Sequence, residues 1–121
     1  MIYEVIITTM NKDGSTHIAP MGVWNEEGAI IIAPFKPSAT LENIKRNKSC
    51  VINNTDDVRI FAGCLTDHKN WDLVPTEKVK GQRLKAALSH VELELLSEKE
   101  DELRPHFYCR PVNEVIHKSF K

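Results

Sequence analysis

The chain has 121 residues, enough for one ordinary domain with a modest core of its own. Its 41% hydrophobic and 27% charged content belongs to a folded chain, and a formal net charge of −1 gives no footprint for nucleic acid or an anionic membrane surface. No apolar run approaches bilayer length, and Ile2-Tyr3-Glu4-Val5-Ile6-Ile7 at the start has no basic flank or cleavage site, so no signal peptide and a cytoplasmic location are expected.

Residues 2–11 are rich in β-branched side chains and run into Lys12-Asp13-Gly14-Ser15. Asp-Gly between two apolar runs signals a hairpin. The return strand, Thr16 to Trp24, carries Pro20 and Gly22. Pro20 has no N–H for a ladder, which puts it at an edge or a bulge, and Gly22 lets another backbone or a flat ligand come close. A strand curling in a barrel and a backbone lying against a planar ring are compatible readings. After the turn Asn25-Glu26-Glu27-Gly28, the apolar run Ala29 to Ala33 reads as a strand buried on both faces.

The most informative stretch follows: Pro34-Phe35-Lys36-Pro37-Ser38-Ala39-Thr40-Leu41-Glu42-Asn43-Ile44. Two prolines stiffen the turn around Lys36, and Ser38 and Thr40 are both residues that cap helix N-termini. Leu41 and Ile44 would be the inward face of a short helix, with Lys45 and Arg46 complementing its dipole. A helix N-terminus has N–H groups without partners and partial positive charge, which suits an anion. Two hydroxyls, a lysine and free amides there are the ingredients of a phosphate cradle. Plain capping accounts for the same spacing.

Ser49 to Ile52 is a strand that enters the polar shelf Asn53-Asn54-Thr55-Asp56-Asp57. The asparagine amides are placed either to bond a ligand or to serve as turn residues. Asp56 or Asp57 would cap a second helix with Val58, Phe61 and Leu65 as its stripe. Residues 66–82, with Trp71, Pro75 and Gly81, read as a long loop with one helical turn, either functional or packed on a partner. From Leu84 to Leu96, Ala87, Ser89, Val91, Leu93 and Leu95 share one strand face, and Leu88, His90, Glu92 and Glu94 the other. Glu92 and Glu94 are read as the wet face rather than as an acid/base pair. Glu98 to Glu102 is a charged turn. Arg104 to His117 is then a return strand bulged at Pro111, with His106, Tyr108 and Arg110 on a half-exposed face.

The sum is a mainly β chain of six or seven strands with short helices, and closing them into a barrel would remove the open edges. Cys50, Cys64 and Cys109 form an odd set without a CxxC, and the five histidines are scattered, so no metal is expected. The common phosphate loops and the GxSxG elbow are missing from the sequence. Any phosphate site must therefore be the Lys36–Asn43 turn, and a cofactor would carry the chemistry.

The order Thr8-Thr9…Asp13-Gly14…Ala19-Pro20-Met21-Gly22-Val23, then Pro34 to Ile44, then Val51-Ile52-Asn53 resembles the FMN-binding split barrels of the flavin reductase-like superfamily. Within it, the chain is similar to a branch of small, largely archaeal and bacterial proteins with an Ala-Pro-Met-Gly strand. The likeness covers the whole chain in pattern, specific in the first half and loose after Asp57. It implies a single six-stranded split β-barrel domain over 1–121, forming a homodimer with one FMN at each end of the subunit interface. It also implies that Ser38 and Thr40 hold the flavin phosphate, with Lys36 and Asn43 as neighbours, and Asn53 is counted among the cofactor-binding residues. The isoalloxazine would lie along Ala19, Pro20, Met21 and Gly22. The implied activity is oxidoreduction with NAD(P)H. The superfamily also contains deazaflavin-dependent and haem-handling proteins, so the alternatives are a non-catalytic flavin carrier or sensor, or a binder of deazaflavin or haem. Relatives in this branch usually continue into a helical region after the last strand, a departure that would make this chain a short member.

Overall fold

The computed structural model describes residues 1–65 and 71–117. Strands β1 (Tyr3–Met10) and β2 (Thr16–Glu26) form the expected hairpin, with Gly14 at φ 91° in its turn. Then come β3 (Ala29–Ile32), α1 (Ala39–Asn47), β4 (Ser49–Asn54), α2 (Val58–Leu65), β5 (Leu73–Pro75), β6 (Gln82–Leu84), β7 (Ser89–Lys99) and β8 (His106–Ile116). Six of these strands close a barrel in the order β1-β2-β3-β8-β7-β4, with every neighbouring pair antiparallel. The mainly β, six-stranded barrel with short helices is the architecture that the sequence indicates. Among the described residues no helix is long and apolar enough to cross a membrane.

Strand alternation divides the apolar residues between two cores. Ile7 faces the barrel interior with Val5, Val23, Ile52, Leu93 and Phe107, and Leu41 and Ile44 of α1 plug one end. Ile6, one residue away, faces outward and packs with Ile18, Ile60, Leu84 and Ala87. This second core lies between the barrel wall and a layer made by α2 and the β5–β6 pair, with Trp71 and Leu73 packed against it.

The structure corrects three expectations. The loop read over 66–82 holds β5 and runs into β6, with which β5 pairs from Leu73↔Leu84 to Pro75↔Gln82. Strands of three residues are too short to show alternation, and their pairing depends on the second core beneath them. Leu84 and Ala87 belong to that core, so β7 begins only at Ser89. Glu92, read as wet, is fully buried. The expected irregularity at Pro111 is present: Glu92 pairs with Asn113 but Leu93 with Pro111, leaving Val112 as the extra residue. A second shift, between Leu95 and Ser97, leaves Leu96 unpaired. The expected cap on α2 is Asp57, whose Oδ1 accepts from the Arg59 N–H at 2.9 Å. The side chains of Val58, Phe61 and Leu65, expected as the stripe of α2, and that of Cys64 lie outside the described residues, as do residues 66–70 of the expected loop.

The barrel closes where β1 meets β4, over the three pairs Ile6↔Asn53, Ile7↔Ile52 and Thr8↔Val51. At this seam the Asn53 amide donates to Ile6 O at 3.2 Å and to Thr8 Oγ1 at 3.0 Å. Its carbonyl oxygen accepts from Leu84 N–H at 2.7 Å, which ties β6 to the barrel. Replacing Asn53 by Ala leaves the buried Leu84 N–H without an acceptor, and we expect a loss of about 2 kcal/mol, read as a lower urea midpoint. Exchange of the Leu84 amide should quicken ahead of the barrel amides. An unchanged midpoint would show that the seam closes without this side chain.

Candidate functional site

Helix α1 starts as its sequence requires. Ser38 is the N-cap, in extended conformation, and its Oγ accepts from Leu41 N–H at 3.2 Å. The first helical bond is Glu42 N–H to Ser38 O, so the N–H groups of Ala39 and Thr40 have no partner within the helix. Ser38 keeps its own hydroxyl proton to donate. Thr40 is buried in this first turn. The preceding turn is braced from the other side of the chain. Lys36 N–H donates to Leu103 O at 2.8 Å, Arg104 Nε donates to Ala33 O at 2.9 Å, and the Arg104 guanidinium lies 4.4 Å over the Phe35 ring.

Lys36 does not stand alone as a cation. Its Nζ is 3.7 Å from Glu100 Oε2, and it lines a hollow of about 300 Å³ with Glu100, Asp101 and Glu102. A hydrogen bond with Glu98, then the charges of Lys36 and Lys45, hold the Glu100 carboxyl below its ordinary value. Asp101 is lowered chiefly by accepting from the backbone N–H groups of Arg104 and Leu103. An anion at the α1 entry therefore meets one lysine whose charge is shared with acids.

Asn43, expected beside the phosphate, is engaged inside the fold. Its Nδ2 donates to Thr9 Oγ1 at 3.0 Å and Asn11 Oδ1 at 2.9 Å, while its Oδ1 accepts from Arg46 Nη2. Arg46 and Asn47 both donate to Met10 O at 2.8 Å. Together they lash α1 to the end of β1. Asn53 is likewise fully buried and bonded at the seam, which corrects its assignment to a ligand. Both asparagines spend their amide hydrogens on partners within the fold, and a side chain so bonded has no donor left to offer.

The Ala19–Gly22 segment lies on β2 with its side chains divided between the two faces. Met21 packs into the barrel core, whereas Pro20 stands opposite Ile6, which in turn stands opposite Asn53, a row across the outer face. Gly22 is the close-approach position the sequence suggests, but here the group in contact is Ile2. A Cβ on Gly22 would come within 2.8 Å of the Ile2 Cγ2. Ile2 is 65% exposed, so this cover is light. The end of the barrel opposite α1 holds a cavity of about 490 Å³, lined by Tyr3, Val5, Trp24, Ile30, Asn54 and neighbours.

One charged group was missed by sequence reasoning. Glu92 carries its carboxylate under the β5–β6 connection, where five N–H donors meet it. They are the backbones of Glu77, Lys78 and Val79 at 3.3, 2.6 and 3.1 Å, His90 Nε2 at 2.8 Å and Asn113 Nδ2 at 2.8 Å. Burial by itself would raise its pKa, but these bonds, led by His90 and Asn113, outweigh it and hold the carboxyl at about 2. Alternation alone reads i and i+2 acids as solvated, because the layer that covers Glu92 is set by tertiary packing.

Comparison with known proteins places this geometry. A family model, that of a protein family of unknown function (DUF447), N-terminal domain, matches residues 3–118. Over 49 residues the chain is 39% identical to the uncharacterized protein YdfE of Bacillus subtilis (strain 168), covering 40% of this chain and 24% of that one. An FMN-bound DUF447 protein from Methanosarcina mazei superposes with a TM-score of 0.80 at 21% identity, over 97% of this chain and 61% of its own. The 2-nitrobenzoate 2-nitroreductase NbaA of Pseudomonas fluorescens gives 0.80 at 20% identity, over 94% and 64%. Flavoredoxin from Methanosarcina acetivorans gives 0.81 at 14% identity, over 97% and 69%. The chain thus spans about three-fifths of the first two structures and about a quarter of YdfE. At these identities the structural matches establish a shared split-barrel fold.

The buried carboxylate sets an acid limit on the fold. Its folded pKa of about 2 lies below the ordinary 4.5, so the unfolded chain takes up the proton first as pH falls. The resulting stability, about 3 kcal/mol, is full above the unfolded value and lost as pH falls through the folded one. Unfolding free energies from urea titrations at about pH 7 and about pH 3 should differ by about 2 kcal/mol, the rest being lost only as pH falls through the folded value, and Glu92→Gln should be weaker at neutrality but flatter with pH. An unaltered pH profile in Glu92→Gln would assign the acid limit to other groups.

Proposed function

The chain belongs to the DUF447 N-terminal-domain family, and on that premise we propose that it binds FMN as a flavin-dependent oxidoreductase using NAD(P)H. The observation that carries the reading is the α1 entry. There a capping hydroxyl with a proton to donate and the two unpartnered N–H groups of Ala39 and Thr40 stand beside Lys36, in a chain that shares its family with an FMN-bound protein. Ser38, Thr40 and Lys36 would hold the phosphate. The β2 segment Ala19 to Gly22 would carry the isoalloxazine on the side of Pro20 and Gly22, since Met21 faces the core.

Bound there, a flavin supplies acceptance of a hydride from NAD(P)H and its transfer to an acceptor. What this chain's own residues contribute is binding and orientation. The helix terminus fixes an anion by charge and N–H direction, and the closely packed strand gives a flat surface once Ile2 moves aside. Free, buried thiols at Cys50 and Cys109 support a reducing, cytoplasmic setting. We also propose a homodimer, with flavin at the interface. Trp71, expected there from sequence, is partly taken up by the second core. The exposed Met1, Ile2, Tyr3 and Ile116 are therefore the apolar groups a partner would cover. Light scattering behind size exclusion should give the mass of two chains at micromolar concentration, and a monomer would remove the dimer from the proposal.

FMN added to the purified chain should shift its absorbance bands on binding. Ser38→Ala should lose about 1 kcal/mol of stability as a cap, and Ser38→Ala/Thr40→Ala, where folded, should bind FMN at least about tenfold more weakly. A folded double variant with wild-type FMN affinity sinks the phosphate assignment. Bound FMN that neither NADH nor NADPH reduces without air leaves the flavin reading standing as a carrier or sensor and removes the oxidoreductase.

A further inference from the structure

The outer face of β7 and β8 holds two histidines to which the flavin reading gives no role. His90 is buried, with Nε2 on the Glu92 carboxylate. Its Nδ1 lies 2.6 Å from Nε2 of His117, the rings nearly parallel at 4° with centroids 4.9 Å apart. The proton positions follow by elimination. An ionised Glu92 can only accept, so His90 donates to it from Nε2. Neutral His90 then presents a bare Nδ1, and His117 must donate to it from Nε2. A first added proton enters at His117 Nδ1 and leaves the contact intact, because the hydrogen between the rings serves either ring. A second has no place. Both facing nitrogens would then carry hydrogen, and two like charges would sit side by side.

The other groups facing the pair come from β8 and from the layer above it. Asn113 is neutral and donates to Glu92. Burial, then the charges of Arg83 and His90, push His117 below the ordinary imidazole range, while Glu77 pulls it the other way. The fold therefore favours the unprotonated ring. That contribution to stability is present above the ordinary imidazole pKa and declines as pH falls through it, because the unfolded chain binds the proton more readily. The backbone N–H of His117 donates to Leu88 O at 2.8 Å, so ring and backbone together hold the end of β8 against the approach to β7.

We propose that Glu92, His90 and His117 form an acid-sensitive clamp that takes one proton without opening and releases the end of β8 when it takes the second. Nitrogen spectra of the His117 imidazole in the full chain, followed from about pH 8 to about pH 5, should show it taking its proton below the ordinary imidazole range while its contact with His90 persists. At lower pH the His117 amide should then lose about tenfold of its exchange protection. A His117 ring that titrates like a free imidazole, or an amide equally protected at both ends, overturns the clamp. In His117→Gln the side-chain amide can still donate to His90 but takes up no proton, so the end of β8 should stay protected throughout. Release in His117→Gln at the wild-type pH overturns the proposal as well.

Discussion

The structure depends on how its barrel is closed, and the closing seam is a narrow piece of pairing. Only three residue pairs join β4 to β1, and the Asn53 amide adds two further bonds across them. The same side chain accepts from Leu84, so one asparagine joins the two edges of the sheet and anchors the outer layer. A buried amide with every polar atom matched specifies a register in a way that apolar packing does not, because any slip leaves donors and acceptors unmatched.

The outer layer repeats this principle along its length. Thr8 Oγ1 donates to Gln82 O at 2.7 Å, and Thr16 Oγ1 donates to Gln82 Oε1 at 2.6 Å. At the far side Glu92 gathers the backbone of residues 77–79. Strands as short as β5 and β6 have little pairing energy of their own. Polar anchors from β1, β2, β4 and β7 fix where they lie, and Ile6, Ile18 and Leu84 supply the apolar burial between them.

The same logic separates polar groups the fold engages from those it leaves open. Ser38, Thr40, Asn43 and Asn53 are equally polar and sit at equally suggestive places in the sequence. Asn43 and Asn53 answer buried donors and acceptors of the fold, whereas the α1 entry keeps a hydroxyl proton and two amide N–H groups in hand. Polarity at a strand end or helix start therefore marks a demand for hydrogen bonds, and only the three-dimensional partners show whether the protein itself meets it.

Much of the barrel was legible in the chain. The Asp13-Gly14 turn, the Ser38 cap with Leu41 and Ile44 on the inward face, and the irregularity at Pro111 are local effects of backbone sterics and capping, and they stand where the residues put them. Ser38 also marked the α1 entry, where it stands as the cap. Tertiary structure alone decided what covers the barrel. The burial of Glu92 and the engagement of Asn53 need partners between 13 and 47 residues away, and the pairing of β5 with β6 depends on the second core beneath it. Strand periodicity tells which side chains share a face; it does not tell whether that face meets water or a second layer, because the layer is held by contacts remote in sequence.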